Sequence, residues 1–362
     1  ETMNRASNFN AGPAALPLPV LEAVQAEFVN FKGTGMSIVE MSHRGKDYEA
    51  VHNHAKAMLY KLLSIPDDYE VLFLQGGASL QFAMVPMNFL TPGRTANYIL
   101  TGSWSEKALK EAEKMGSTFV GGSSEDRSYS YIPDQDRIQI EPDHAYVHIT
   151  SNNTIFGTQW HQFPDTKGVP LVADMSSDIL SRPLDVSKFA LIYAGAQKNL
   201  GPAGVTVVII RRDWMGEAGD KIPTMLKYTT HAGANSLYNT PPTFAIYLLG
   251  KVLDWVDQLG GVEAVFAQNK AKAQLLYDAI DESDGFYQGH AEMDSRSLMN
   301  VTFTLADKEL ESKFLQEAKA RGFVGVNGHR SVGGCRASIY NAVPTEACEA
   351  LRDFMIQFQA QN

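Results

Sequence analysis

The chain has 362 residues, a formal net charge of -10 and a composition that is 44% hydrophobic and 20% charged. That length exceeds one ordinary core, so a large domain with a smaller companion is expected. The acidic balance excludes a broad face for nucleic acid or an anionic membrane, so any anionic ligand must meet a local basic pocket.

In chain order, LPVLEAVQAEFVNF and DYEAVHNHAKAMLYKLLS carry helical periodicity, YEVLFLQGG reads as a strand, and SLQFAMVPMNFL as the helix after it. Strands follow at TANYILTG, STFVGG, HAYVHITSN, VPLVADMSS, FALIYAGAQK and GVTVVIIRR. Several are apolar on both faces, the pattern of strands covered by helices on either side. The helix PPTFAIYLLGKVLDWVDQL ends at Gly260 and Gly261, a C-cap and hinge. Beyond it come the helix VEAVFAQNKAKAQLLYDAI, the strand SLMNVTFTL, the helix KELESKFLQEAKARG, a hairpin-like VGVNGHRSVGGCRASIYNAV and the final helix TEACEALRDFMIQFQA. The expected fold class is α/β: a large domain, 16–260, whose mixed, mainly parallel sheet carries helices on both faces, and a smaller C-terminal α/β domain, 261–362. Residues 1–15 are expected to pack near the small domain and the active site.

Cys335 and Cys348 form no CxxC spacing, which suits a reducing compartment and plain packing. The opening ETMNRASNFNAGPAALPLP lacks the basic-then-apolar pattern of a signal peptide, and no apolar run nears the ~20 residues of a membrane helix, so a cytoplasmic protein is expected.

Lys198 sits in LIYAGAQKNLGPAGVTVVIIRR between two apolar runs, where an ammonium must either snorkel to the surface or be chemically employed. Asp174, 24 residues earlier, also follows an apolar strand, and ligands of open α/β sheets collect at such carboxyl ends. Each has an ordinary explanation alone, a helix cap or a snorkelling side chain. Together they match the acid and lysine of pyridoxal phosphate chemistry. QGGAS, 75–79, opens a helix near Ser79 and could cradle a phosphate or be a bare βα turn; GxxxxGK[ST] and GxGxxG are both absent. Trp104 could stack on a flat ring or belong to the core, and SNNT, 151–154, could offer a hydroxyl or simply turn. SHRG at 42–45, GHRS at 328–331 and Arg336 form a set of His and Arg residues suited to a ligand with two anionic groups. His52 and His54 point in different directions on one helix, and no metal site is expected.

NFNAGPAALP, EMSHRGKDYEAVH, QGGASLQFAMVPMNFL, TGSWSEKA, ADMSSDILSRPLDVSKFALIYAGAQKNLGPAG, NTPPTFAIY and GHRSVGGCRASIYNA together resemble the phosphoserine aminotransferase family, fold-type I pyridoxal phosphate enzymes of class V. The resemblance runs from residue 8 to near the C-terminus. It implies that Lys198 is the lysine that forms the Schiff base, that Asp174 pairs with the pyridine nitrogen, that Trp104 stacks on the ring and that Thr154 bonds the ring oxygen. It implies a cofactor phosphate held by the backbone of Ala78 and Ser79 and by Gln197, completed by Asn239 and Thr240 of a second subunit in a homodimer. Arg336 would clamp the substrate carboxylate, with His43, Arg44, His329 and Arg330 around the substrate phosphate, some across the interface. The implied reaction transfers the amino group of glutamate to 3-phosphohydroxypyruvate in serine biosynthesis; the phosphohydroxythreonine step of pyridoxine synthesis stays open. Where some relatives carry an arginine after the glycines this chain has Ala78, Ser79 and Leu80, one substrate-facing charge fewer. A serine-pyruvate type aminotransferase, a cysteine desulfurase and a non-catalytic phosphate-binding protein are the rival readings.

Overall fold

The computed structural model describes residues 4–216 and 219–362, so the first three residues of the expected 1–15 segment lie outside the described part. Its centre is a 7-stranded sheet. Numbered in chain order its strands are β1 (Tyr69–Leu74), β2 (Thr95–Leu100), β3 (Ser117–Ser123), β4 (Val147–Thr150), β5 (Leu171–Asp174), β6 (Leu191–Gly195) and β7 (Thr206–Arg211). They lie in the order β1-β7-β6-β5-β4-β2-β3, and every pairing is parallel except the two made by β7.

Side-chain alternation explains the layers. Phe73, Ile192, Ala194, Val207 and Ile209 enter one apolar core with Ala55, Leu59, Leu249 and Leu253 of the helices Lys46–Leu62 and Thr243–Gln258. Their strand neighbours Leu72, Leu74, Leu191, Val208 and Ile210 enter a second core with Phe82, Met84, Ala108 and Ala112 of the helices Gly77–Phe89 and Ser103–Met115. Both faces are dry, which is why these strands read as continuous apolar runs.

A third core lies around the short antiparallel strands β8 (Gln288–Gly289), β9 (Asn300–Thr304) and β10 (Cys335–Ser338), where Tyr287, Phe303, Phe314, Phe354 and Phe358 pack with Phe9 from the start of the chain. Ser7 and Asn8 pair in parallel with Phe323 and Val324.

Three elements differ from the sequence reading. Ser103–Met115 is a full amphipathic helix that the reading passed over, because its start, TGSW, looked like a strand end. The hairpin-like 324–343 stretch is not a two-stranded ladder: its first arm pairs with the N-terminus, its second pairs with β9, and one bridge, Asn327 to Cys335, joins them. The glycine pair of the loop, Gly333 and Gly334, takes positive φ and turns the chain between these two commitments. The helix after QGG opens at Gly77, two residues earlier than Ser79.

Candidate active site

The parallel strands β1, β2, β4, β5 and β6 all deliver their following loops to one edge of the sheet, and every candidate on the sheet is there. Asp174 is the last residue of β5, paired on its two sides with Thr150 and Tyr193, so strand geometry buries its carboxylate. The Ser176 N–H donates to its Oδ1 at 3.0 Å. Burial pushes the Asp174 carboxyl above its ordinary pKa, opposed by Ser176 and by the charge of Lys198.

Lys198 follows β6 and keeps part of its surface open, and its Nζ donates to Oγ1 of Thr154 at 3.3 Å. Its pKa is pulled from an ordinary 10.5 to about 8, chiefly by desolvation and further by the Arg336 guanidinium, against the opposing charges of Asp174 and Asp178. Arg336, on β10, donates from Nη1 to the Thr154 carbonyl at 3.2 Å. Thr154 therefore carries the amine on its hydroxyl and the guanidinium on its backbone. The buried Nε of Arg336 has no protein partner among the described residues, a donor left for something else.

Trp104 is placed by its own turn. Ser105 accepts from the N–H groups of Thr101 and Gly102 at 3.0 and 3.1 Å, and Thr101 donates from Oγ1 to Asn153 at 3.0 Å, tying the Trp104 helix to the Thr154 loop. The Lys107 ammonium stands 4.4 Å from the centre of a Trp104 ring. Sequence reasoning missed Lys107; its signal, three residues after Trp104 on a helix, was hidden with that helix.

At the end of β1, Gly76 has φ +94°, and a β-carbon there would meet Leu80 at 2.6 Å, so only glycine makes the turn into the helix Gly77–Phe89. No side chain caps that helix, leaving its first amides, with Ala78 and Ser79, open. Gln197 stands one residue from Lys198, and its carbonyl accepts from Ala14 N–H at 2.9 Å. Asn239 donates to the Gln75 side chain at 3.1 Å, beside the same turn, and Thr240 is exposed.

His329 and Arg330 lie on the loop before β10. Burial, then the charges of Arg336, Arg330 and Lys107, hold the His329 imidazole below its ordinary pKa, so these cations share one neighbourhood. His43 and Arg44 sit in the turn before the helix Lys46–Leu62, Arg44 exposed, and among the described residues no hydrogen bond or ion pair joins their side chains to this cluster.

A primary amine poised near neutrality, a buried acid, an uncapped glycine-led helix N-terminus and an aromatic plate that shares a cavity with Ser79 form a donor set that fits pyridoxal phosphate. A separate cavity of about 430 Å³ beside Phe31, His54 and Tyr247 contains none of these residues.

The class-V aminotransferase family model matches residues 6–351. A phosphoserine aminotransferase of Lysinibacillus sphaericus is 66% identical over 358 residues, covering 99% of each chain. The solved phosphoserine aminotransferase of Bacillus circulans subsp. alkalophilus superposes with a TM-score of 0.97 at 60% identity, covering 99% of each chain. A phosphoserine aminotransferase solved to follow radiation damage of its Schiff base gives 0.98 at 60% identity, covering 99% of this chain and 100% of that one.

Proposed function

The chain belongs to the class-V aminotransferases, and from that premise we propose that the Lys198 site runs the phosphoserine aminotransferase reaction: glutamate and 3-phosphohydroxypyruvate give 2-oxoglutarate and O-phosphoserine. It is a pyridoxal phosphate-dependent transaminase of serine biosynthesis. The observation that carries the substrate reading is the meeting of Lys198 and Arg336 on Thr154, which sets a carboxylate clamp beside the reactive amine.

Pyridoxal phosphate, when bound, supplies the aldehyde that carries the amino group and a ring that takes up the electron pair released at the substrate α-carbon. Lys198 and Asp174 would hold it at opposite ends of its ring, Thr154 and Trp104 at its edge and face, and Ala78, Ser79 and Gln197 at its phosphate. In each half-reaction the Lys198 Nζ would carry the proton between the substrate α-carbon and the cofactor carbon that bears the amino group, off the α-carbon of the donor in the first and onto that of the acceptor in the second. It has to be neutral to do so, and an amine at about 8 beside Arg336 is already inclined that way. The Arg336 fork binds the substrate α-carboxylate and fixes that α-carbon within reach of Nζ.

His329 and Arg330 beside Arg336, with Lys107 nearby, support recognition of the second anion. The same pocket would accept the side-chain carboxylate of glutamate. Lys107 lines a cavity with Ser79 and Trp104, so its charge would stand close to the turn after the glycines, where this chain has no arginine. We extend the proposal to a cytoplasmic homodimer in which His43, Arg44, Asn239 and Thr240 complete the partner's site. The exposed position of Arg44 and Thr240 agrees with that role. Phosphohydroxythreonine offers the same phosphate and carboxylate, so it is proposed as a second substrate. Cysteine desulfuration is disfavoured, since both thiols are buried and burial pushes both up in pKa. The test is direct: purified protein with pyridoxal phosphate, glutamate and 3-phosphohydroxypyruvate should form phosphoserine, and no product would reject the assignment.

A further inference from the structure

Lys272 lies on the helix Gly261–Asp281, 2% exposed, without an ion-pair partner among the described residues. Its Nζ donates to the carbonyls of Ile339, Tyr340 and Val343 at 3.1, 2.8 and 3.0 Å. Three donors thus meet three buried acceptors in a five-residue stretch that leaves the sheet just after β10, and the Tyr340 carbonyl accepts in addition from the Val343 N–H at 2.9 Å. One helical turn earlier, Asn269 donates to Oδ1 of Asn341 at 2.9 Å, so one helix face holds the whole stretch.

That stretch is the junction between the two reactive groups. Upstream it is continuous with β10 and Arg336. Across the core, the Asn341 N–H donates to Oδ1 of Asn199, the residue after Lys198, at 2.9 Å. The Tyr340 hydroxyl donates to the Ala11 carbonyl at 2.7 Å, and Ala11 precedes Gly12, whose backbone lies against Lys198.

We propose that Lys272 is a positioning residue that sets the spacing between the Lys198 amine and the Arg336 guanidinium by clamping residues 339–343 to the helix Gly261–Asp281. The proposal rests on the functional reading above. A neutral amine has one donor fewer than the clamp requires, so the clamp loosens when Lys272 loses its proton. Burial pulls that loss down to about pH 8. The titratable group acting on Lys272 from the helix Thr345–Gln361 is Cys348, whose thiol burial pushes up to about 11 and so keeps neutral. Tyr340, on the clamped stretch, is raised to about 12 and is neutral too. Among the described residues no charged group of the helix Thr243–Gln258 or of β9 acts on Lys272.

The test compares wild type, Lys272→Met and Lys272→Arg, each loaded with pyridoxal phosphate and checked by thermal melting. Lys272→Met should raise the KM for phosphoserine and for glutamate roughly 10-fold or more, with a smaller change in kcat, and Lys272→Arg should recover much of it. Wild-type KM should climb above about pH 8, and the Lys272→Arg profile, whose cation persists, should stay flatter. If Lys272→Met fails to fold, the two pH profiles decide. A folded Lys272→Met with wild-type KM values, or coincident profiles of wild type and Lys272→Arg, overturns the positioning role alone. Wild type without phosphoserine turnover overturns the functional reading and this proposal with it.

Discussion

A β-carbon on Gly12 would stand 3.0 Å from Cε of Lys198 and 3.6 Å from its Cγ. The Lys198 side chain is thus flanked by the loop that follows Ser7–Asn8, which is pinned beside it through the hydrogen bond from Ala14 N–H to the Gln197 carbonyl. Gly12 also has φ +154°, which a side chain disfavours. The flexible lysine will yield before the backbone does, so Gly12→Ala should lower kcat by roughly 10- to 100-fold through a misplaced amine. The melting temperature should shift by less than about 5 °C. Wild-type kcat in this variant would show that the loop does not shape Lys198.

The charge around Lys198 can be read by titration without substrate. Asp174 raises the amine's pKa and Arg336 lowers it, from a balance at about 8. Asp174→Asn should therefore make Lys198 of the cofactor-free protein react with an amine reagent at lower pH than wild type, and Arg336→Leu at higher pH. Peptide-mapped labelling across pH 6 to 11 checks both directions; shifts of the opposite sign would show that other charges govern the amine.

Removing Arg336 should be felt in binding more than in proton transfer. Arg336→Leu deletes a charge-assisted contact of about 1.5–3 kcal/mol, so kcat/KM for phosphoserine and glutamate should fall together by roughly 10- to 100-fold. Steady-state kinetics with both substrates checks this. A loss confined to phosphoserine would instead place Arg336 at the phosphate.

His148 gives the fold an acid sensitivity. It is buried on β4, bonded through Nε2 to the Tyr193 hydroxyl at 2.7 Å, and its Nδ1 has no partner among the described residues. Burial lowers its pKa from 6.5 to about 3. Between those values the unfolded chain holds a proton that the folded chain does not, so stability is lost as pH falls from 6.5 toward 3, up to roughly 5 kcal/mol over the window. His148→Gln should flatten the fall of unfolding free energy with pH by up to one proton, measured by urea melts from pH 4 to 7. An unchanged slope would mean that His148 is not the group responsible.

Much of this was legible in the chain because the sheet is dry on both faces: alternate residues such as Phe73 and Leu74 both enter cores, so strands stand out as apolar runs. Asp174 and Lys198 were visible for the same reason, as charges at the ends of such runs. Arg336 was readable as one of a basic set, but its meeting with Lys198 on Thr154 joins residues 182 positions apart and depends on packing between cores. Lys107 and Lys272 were not singled out, since a lysine in an ordinary helical pattern looks like a solvated side chain. Lys107 reaches Trp104 by the spacing of a helix that was itself passed over, whereas only the tertiary fold buries Lys272 on three carbonyls. The 324–343 loop misled because its turn residues are those of a hairpin, whereas its arms are claimed by strands far away in sequence.

The measurement that bears most directly on the function is a spectrophotometric titration of the pyridoxal phosphate-loaded protein with phosphoserine and, in parallel, with serine. A site in which Arg336, Arg330 and His329 await two anionic groups should convert the cofactor band at a phosphoserine concentration at least about 100-fold below that needed with serine. Equal responses to the two amino acids would contradict the assignment of the basic cluster to a phosphate.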